Sequence, residues 1–287
     1  MATKYEEIMK AKGFLPYNLH TLPAKFIQKA KEELGETDEI RVQALEQFRK
    51  RILEDKKLKM CVPTDDTYLL QFLRARKYDV DKAIGLVHNY FNLIISHPEI
   101  FDQLDKEKMF KFSSSGFVNV LPFRDNDGCL VLTIRMGTWD PEEIKVQLLF
   151  CTMAAVIYSF ELYPANQICG VRIIFDSEGY SFKQMRCFVP RYIPLIAKAL
   201  RNCIPARFKS IHVVNEAIVF HSLPWNNMEE IHKYISKEVL PQEYGGDYTS
   251  YNDGDSVTKE IDKTYDMFSM LVRTCFSLNG APLMNKD

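Results

Sequence analysis

The chain carries none of the short motifs that hold a nucleotide or run a hydrolytic reaction. Neither G-x-G-x-x-G nor G-x-x-x-x-G-K-[ST] occurs, and the adjacent glycines, Gly245 and Gly246, lie away from any strand-to-helix turn that could offer helical N–H groups to a phosphate. A G-x-S-x-G elbow is absent, and so is H-E-x-x-H. The histidines, His20, His88, His97, His212, His221 and His232, form no helical pair at metal-ligand spacing, so no metal and no other cofactor is expected, and His88 and His212 read as structural. Charge of one sign is not in excess. The 37 Lys and Arg face 38 Asp and Glu, a net charge of -1 that argues against a protein built to wrap nucleic acid. The seven cysteines, Cys61, Cys129, Cys151, Cys169, Cys187, Cys203 and Cys275, contain no C-x-x-C pair and are odd in number, which suits a reducing compartment better than a disulfide framework. The first residues lack the apolar core of a signal peptide, and the longest apolar run, about thirteen residues from Leu148, falls short of the roughly twenty that span a bilayer. The expectation is a cytoplasmic protein whose membrane contact is transient and peripheral.

What is present is a chain of 287 residues, long enough to bury about three-quarters of its unfolded surface. Its centre is the stretch 170–182. Val171, Ile173, Ile174 and Phe175 make a short apolar run bounded by Gly170 and by Asp176 with Gly179, a strand apolar on both faces and hence internal to a parallel or mixed sheet. A long apolar helix precedes it, with Asp140 as N-cap and Pro141 at the first helical position, and a helix over 182–202 and a strand over 208–214 follow, which makes a βαβ unit. Upstream, 117–123 and 130–135 read as a hairpin around Arg124-Asp125-Asn126-Asp127-Gly128. The first 23 residues are weakly patterned, with Gly13, Pro16 and Pro23 as breakers. Between 24 and 104 the pattern is helical. Thr37 caps one helix with Leu45, Phe48 and Ile52 inward, Pro63 and Thr64 start a second, and Asp79 caps a third that ends before Pro98. A further helix is expected over 227–235 and another over 257–275. The fold class is therefore α/β: a small N-terminal helical domain, then a mixed, mostly parallel sheet with helices on both sides.

Two features invite a functional reading. Phe150, Met153 and Ile157 fall on one helical line, Val171, Ile173 and Phe175 on one strand face, and Ile196, Ala199 and Leu200 on a later helix. A packed core and an apolar ligand cavity use the same residue types, and periodicity does not separate them. Arg191, Lys198 and Arg201 share one helix, and Arg207 and Lys209 project to one side of an extended backbone. They form either a solvated face or a site for an anionic head group. Asp176 and Glu178, at the carboxyl end of the central strand, stand where α/β enzymes place catalytic carboxylates, but without a nucleophile or metal partner they read as caps of the next segment.

Leu69-Leu70-Gln71-Phe72-Leu73-Arg74-Ala75-Arg76, Trp139-Asp140-Pro141, Phe175-Asp176-Ser177-Glu178-Gly179, Ile211-His212-Val213-Val214-Asn215-Glu216 and Leu240-Pro241-Gln242-Glu243-Tyr244-Gly245-Gly246 come in the order of the successive signatures of the CRAL-TRIO lipid-transfer family. Over about residues 24–250 the chain resembles that family, in the branch holding alpha-tocopherol transfer protein and cellular retinaldehyde-binding protein. The resemblance implies a weakly ordered segment over 1–23, a helical domain over 24–104, an α/β lipid cage over 105–250, and a C-terminal helix and tail over 251–287. It implies cavity-lining roles for Phe150, Met153, Ile157, Val171, Phe175, Ile196, Leu200, Ile211 and Val213, and phosphoinositide contacts from Arg76, Arg207 and Lys209. The implied function is binding and transfer of a hydrophobic small molecule, isoprenoid-like (a tocopherol or retinoid) or a phospholipid, with exchange at phosphoinositide-containing membranes and no covalent chemistry.

One departure stands out. The family pattern continues from the run matching Phe220-His221 into a gate helix, a basic stretch and another strand. Here Ser222-Leu223-Pro224-Trp225-Asn226 joins the flanks directly, which is too short for a parallel crossover. The expectation is a shortened form, such as a splice or gene-model variant, with an uncovered sheet edge, weaker lipid retention and a tendency to self-associate. Two other classes remain open: a non-transporting module that binds phosphoinositide or protein, and an enzyme using Asp176.

Overall fold

The computed structural model describes residues 4–188, 192–215, 228–249 and 254–277. The chain opens with α1 (Lys4–Ala11), α2 (Ala24–Leu34) and α3 (Asp38–Glu54). It continues through α4 (Leu58–Cys61), α5 (Asp66–Ala75), α6 (Val80–Ser96), α7 (Pro98–Phe101) and α8 (Lys106–Ser113). Side-chain caps set where four of these begin, among them α8, where Asp105 accepts from Lys108 N at 3.1 Å. Thr37 Oγ1 accepts from Ile40 N at 3.2 Å, Asp79 from Lys82 N at 3.0 Å, and Asp65 from Tyr68 N at 2.9 Å. Each satisfies one of the N–H groups that a helix start leaves open. α5 therefore begins after Asp65 and not at Pro63, because a carboxylate two residues on makes the better cap. Leu45, Phe48 and Ile52 point inward as the spacing predicts, with the Phe48 and Phe72 rings 6.5 Å apart.

The sheet has four strands in the order β1 (Val118–Val120), β2 (Leu130–Arg135), β3 (Val171–Asp176), β4 (Phe208–Val214). The first pair is antiparallel and the other two are parallel, a mixed and mostly parallel sheet. Asp125 makes the hairpin turn by accepting Cys129 N at 2.7 Å, and Gly128 supplies a positive φ. Between β2 and β3 lie α9 (Val146–Glu161) and α10 (Pro164–Cys169), and α11 (Phe182–Phe188) and α12 (Tyr192–Lys198) lead to β4. After β4 come α13 (Met228–Ile231) and α14 (Gly254–Ser277). Helices cover both faces. Leu132, Ile173 and Phe175 look toward α9 and α12, while Val131, Ile174 and Val214 pack with Met9, Ile231 and Ile235. One apolar core runs without a break from Phe48 in α3 through the sheet to Phe268 in α14.

Several boundaries differ from the sequence reading. The weakly patterned start contains α1, and buried Arg124 ties the segment beyond that helix to the hairpin by donating to Pro16 O and Tyr17 O. Asp140 does not cap the long apolar helix. It turns the chain by accepting Glu142 N at 2.9 Å, and the Trp139 indole donates to Ile144 O at 2.7 Å, so that α9 starts only at Val146. Of the helix expected over 182–202, Phe182–Phe188 and Tyr192–Lys198 are helical and Ala199–Cys203 forms a π-helical turn. The helix expected over 227–235 ends at Ile231, and the one expected over 257–275 runs longer, from Gly254 to Ser277. Arg191, His221 and the 222–226 junction lie outside the described residues.

Candidate ligand cavity and basic edge

α9 is apolar almost all round because it is covered on two sides. Its outer side meets α14, where the Tyr158 and Phe268 rings lie 5.4 Å apart and the hydroxyls of Ser159 and Thr264 share a 2.6 Å hydrogen bond. Its inner side carries Leu149, Phe150, Met153, Ala154, Ile157, Phe160 and Glu161, a line at helical spacing. This line does not close onto the sheet. Between it, the sheet face and the segment from Leu195 to Ile204 lies a cavity of about 320 Å³. Close-packed interiors hold few voids larger than a water molecule, whereas small-molecule sites run from about 300 Å³ upward. The void explains why Phe150, Met153 and Ile157 are only half-buried at the centre of the fold, and why Ile211 keeps 47% of its surface.

Of the positions named from sequence, Phe150, Met153, Ile157, Val171, Phe175, Ile196, Leu200 and Ile211 border this cavity. Val213 does not. It pairs with Phe175 and so shares that sheet face, but it sits one strand position beyond the lining. Ile173, Leu195 and Ile204 also border it. Among the described residues that border it, every side chain is apolar except Glu161. That residue went unnoticed in the sequence, although the signal was there: it is the one acid in α9, four residues on from Ile157 and so on the same face.

Glu161 is 1% exposed, and among the described residues neither carboxyl oxygen has a hydrogen-bond partner. Burial pushes its carboxyl up to about 8, opposed by the charge of Arg207. The neutral acid is thus the form that the folded chain favours near neutral pH.

The basic residues are divided. Arg207 and Lys209 flank Phe208 at the start of β4, and both reach Glu33 on α2, at 2.7 Å and 2.9 Å to the same oxygen. Partial burial by itself would raise the Glu33 carboxyl. The hydrogen bonds from Lys209 and Arg207, helped by the charges of Lys209 and Lys29, outweigh it and hold the group at about 2. Arg207 also donates to Ile168 O. Arg76 is not part of this cluster. It terminates α5, donates to Ala75 O at 3.2 Å, and burial lowers its guanidinium, with Cys203 nearby acting in the other direction. Its motif neighbour Arg74 is wholly structural, bonded at 2.9 and 2.7 Å to the two oxygens of Glu36 and at 2.7 Å to Gln167.

Asp176 caps, as its position suggested. One oxygen accepts Glu178 N at 2.9 Å and Asn215 Nδ2 at 3.0 Å, and the other accepts the Tyr244 hydroxyl at 3.0 Å. Two segments far apart in the chain, Phe175-Asp176-Ser177-Glu178-Gly179 and the Tyr244-Gly245-Gly246 turn, are thereby one structural unit. Its hydrogen-bonding capacity goes to holding the chain. Among the described residues no cluster of His, Cys, Asp and Glu could hold a metal ion, and no helix is long and apolar enough to cross a membrane.

Comparison with known proteins agrees with this architecture. Residues 114–226 match the CRAL/TRIO domain and residues 28–89 match the CRAL/TRIO N-terminal domain. The chain is 30% identical to an alpha-tocopherol transfer protein-like protein of Mus musculus, over 92% of this chain and 83% of that one. It is also 30% identical to Clavesin-1 of Rattus norvegicus, over 79% of this chain and 70% of the relative. With a helical region, a mixed sheet and an apolar cavity beneath α9, the chain belongs to the CRAL/TRIO family.

Proposed function

We propose that the protein binds one hydrophobic small molecule in the cavity under α9 and carries it through the cytoplasm, exchanging it at anionic, phosphoinositide-containing membranes without covalent chemistry. The observation that carries this reading is the void itself: a volume of about 320 Å³ whose lining, among the described residues, is apolar but for Glu161. Removing an apolar ligand's surface from water at about 25 cal/mol per Å² makes such a complex favourable. The relative named for tocopherol transfer supports a carrier role of the same kind. On this reading residues 24–104 and 105–250 are the helical and cage-forming parts, and Phe150, Met153, Ile157, Val171, Phe175, Ile196, Leu200 and Ile211 are the ligand's contacts, with Val213 outside the first ring of them.

Native mass spectrometry and solvent extraction of the purified protein test the proposal. A co-purifying lipid is expected, and Ala154→Trp, which pushes an indole from α9 into the cavity, is expected to remove it while the fold persists. A protein that never holds a hydrophobic guest would instead be a non-transporting module.

The membrane step rests on Arg207 and Lys209. A cation near an anionic surface contributes about 1 kcal/mol, so replacing both by Ala is expected to weaken binding to phosphoinositide vesicles by about thirtyfold, with ligand uptake in solution retained. Glu33→Gln, which removes the carboxylate charge that both cations share, is expected to strengthen that binding. Equal vesicle binding by all three proteins would remove the basic edge from the mechanism. β4 is an outer strand of the described sheet, which supports self-association through its edge, and sedimentation measured over a range of concentrations reads that directly.

A further inference from the structure

A second pocket, of about 250 Å³, shares none of its described lining with the cavity under α9. Separate stretches of the chain wall it: α1, residues 16–18, the run from β1 into the hairpin, the turn at Tyr248 and the first turn of α14. We propose that this pocket binds a zwitterion in which a trimethylammonium group and an anionic group are joined by a short link, with phosphocholine as the probe. The proposal does not depend on the carrier reading.

The cation end comes first. Tyr17, Phe123 and Tyr248 border the pocket together with Glu6. A quaternary ammonium ion has no hydrogen to donate and is held instead by the electron-rich faces of aromatic rings, with a carboxylate nearby to balance its charge. Those residue types are the ones assembled here. They are also set in place without a ligand. Tyr248 stacks on Tyr5 at 4.6 Å, Tyr5 meets Phe123 edge-on at 5.8 Å, and the Tyr5 hydroxyl anchors the group by donating to Glu238 O at 2.6 Å. Tyr17 is fixed through its backbone, its N–H donating to Pro122 O at 3.0 Å. A wall ordered in advance costs little to bind against.

The anion end is Lys10, with the Asn18 amide as a further donor on the same lining. Among the described residues Lys10 forms no ion pair, whereas Lys12 is drawn off to Glu238 at 3.8 Å. Glu6 and Lys10 stand four residues apart on α1, about 6 Å along the helix axis. A ligand that meets both must therefore carry opposite charges a short link apart. Choline alone would leave Lys10 facing a like charge, and inorganic phosphate would leave the rings unused.

The test is calorimetric titration of the full chain with phosphocholine, with choline, which lacks the anion, and with phosphoethanolamine, which lacks the methyl groups. In the wild type and in Ala154→Trp alike, phosphocholine is expected to bind about tenfold tighter than either of the others. Tyr248→Leu is expected to bring phosphocholine down to the level of phosphoethanolamine. Lys10→Met is expected to bring it down to choline, with choline itself bound no more weakly than before. Urea midpoints report whether each variant folds, and because Lys10 is exposed its variant decides the matter should the Leu variant not fold. Vesicles of phosphatidylcholine alone separate two sources of the same chemistry: sedimentation of Ala154→Trp with them, reversed by phosphocholine, identifies a lipid head group, and its absence identifies the free zwitterion. No binding of phosphocholine, or binding unchanged in Lys10→Met, refutes the site. Binding lost in Ala154→Trp refutes it too, by placing the probe under α9, and leaves the carrier reading standing.

Discussion

Glu161→Gln is expected to stabilise the ligand-free protein by an amount that grows steadily with pH. In the folded chain burial holds the proton to about pH 8, whereas the unfolded chain releases it near 4.5. Between those limits the folded state binds the extra proton, so raising the pH favours unfolding by about 1.4 kcal/mol per pH unit. The stability that the carboxyl leaves intact below about pH 4.5 is thus lost progressively until about pH 8. Glutamine has no proton to lose. The difference between the two proteins is expected to be small near pH 4.5 and to reach several kcal/mol near pH 8, which urea melts at a series of pH values resolve. Glu33 has the opposite sign, its depressed carboxyl favouring the fold above about 4.5 and ceasing to as pH falls toward 2, and it cancels because both proteins carry it. A gap that stays constant with pH would mean that the Glu161 carboxyl is solvated.

The parts of the fold that were legible in the sequence are those fixed by local pattern. β3 announces itself through Val171, Ile173, Ile174 and Phe175, and its register with β2 and β4 follows from which face is buried. Thr37 and Asp79 cap where their side chains suggested. Local reading failed where a side-chain contact, near or distant in the chain, decides. Pro141 after Asp140 is a good helix start taken alone, and only the Trp139 indole reaching Ile144 O postpones α9 to Val146. The basic pair on β4 was visible, but its partner Glu33 lies 174 residues earlier than Arg207, on a helix whose surface pattern gives no hint of it. Core and cavity are also indistinguishable by residue type. What separates them is whether α9 closes onto the sheet, and that depends on the bulk of α12 and on how Phe268 and Tyr158 hold α9 against α14. Glu161 could have been read as a polar position within an apolar face, a local conflict of the sort that marks functional sites.

Asp125→Ala is expected to cost about 3 to 5 kcal/mol, because it strands a buried cation on the far side of the sheet from the cavity. Arg172 sits near the start of β3, 3% exposed, and its guanidinium is divided among partners on the hairpin turn and on β4. Nε donates to Asp125 at 2.6 Å, Nη2 to Asp127 at 2.9 Å and Nη1 to Ser210 on β4 at 2.7 Å, with the Tyr234 ring 4.1 Å away. Asp125 is the buried member of that set and also accepts Cys129 N, so its loss opens the hairpin turn as well. Asp127 is half exposed and replaces only part of the lost interaction. Asp125→Asn keeps an acceptor for Cys129 N and loses the charge, which isolates the ion pair, and it is expected to fall between wild type and Ala. The double variant Asp125→Ala/Arg172→Met is expected to be more stable than the sum of its singles, since it buries no unpaired charge. Denaturant midpoints at an unchanged slope measure the wild type, the two Asp125 variants, Arg172→Met and the double variant. The same pin holds β4 by Ser210, one residue beyond Lys209, so loosening it also frees the edge that carries Arg207 and Lys209. Asp125→Asn, folded but slackened, is therefore expected to alter vesicle binding while leaving the cavity on the opposite face of the sheet intact. An unchanged midpoint in Asp125→Ala would mean that water reaches Arg172 and that the sheet is held without it.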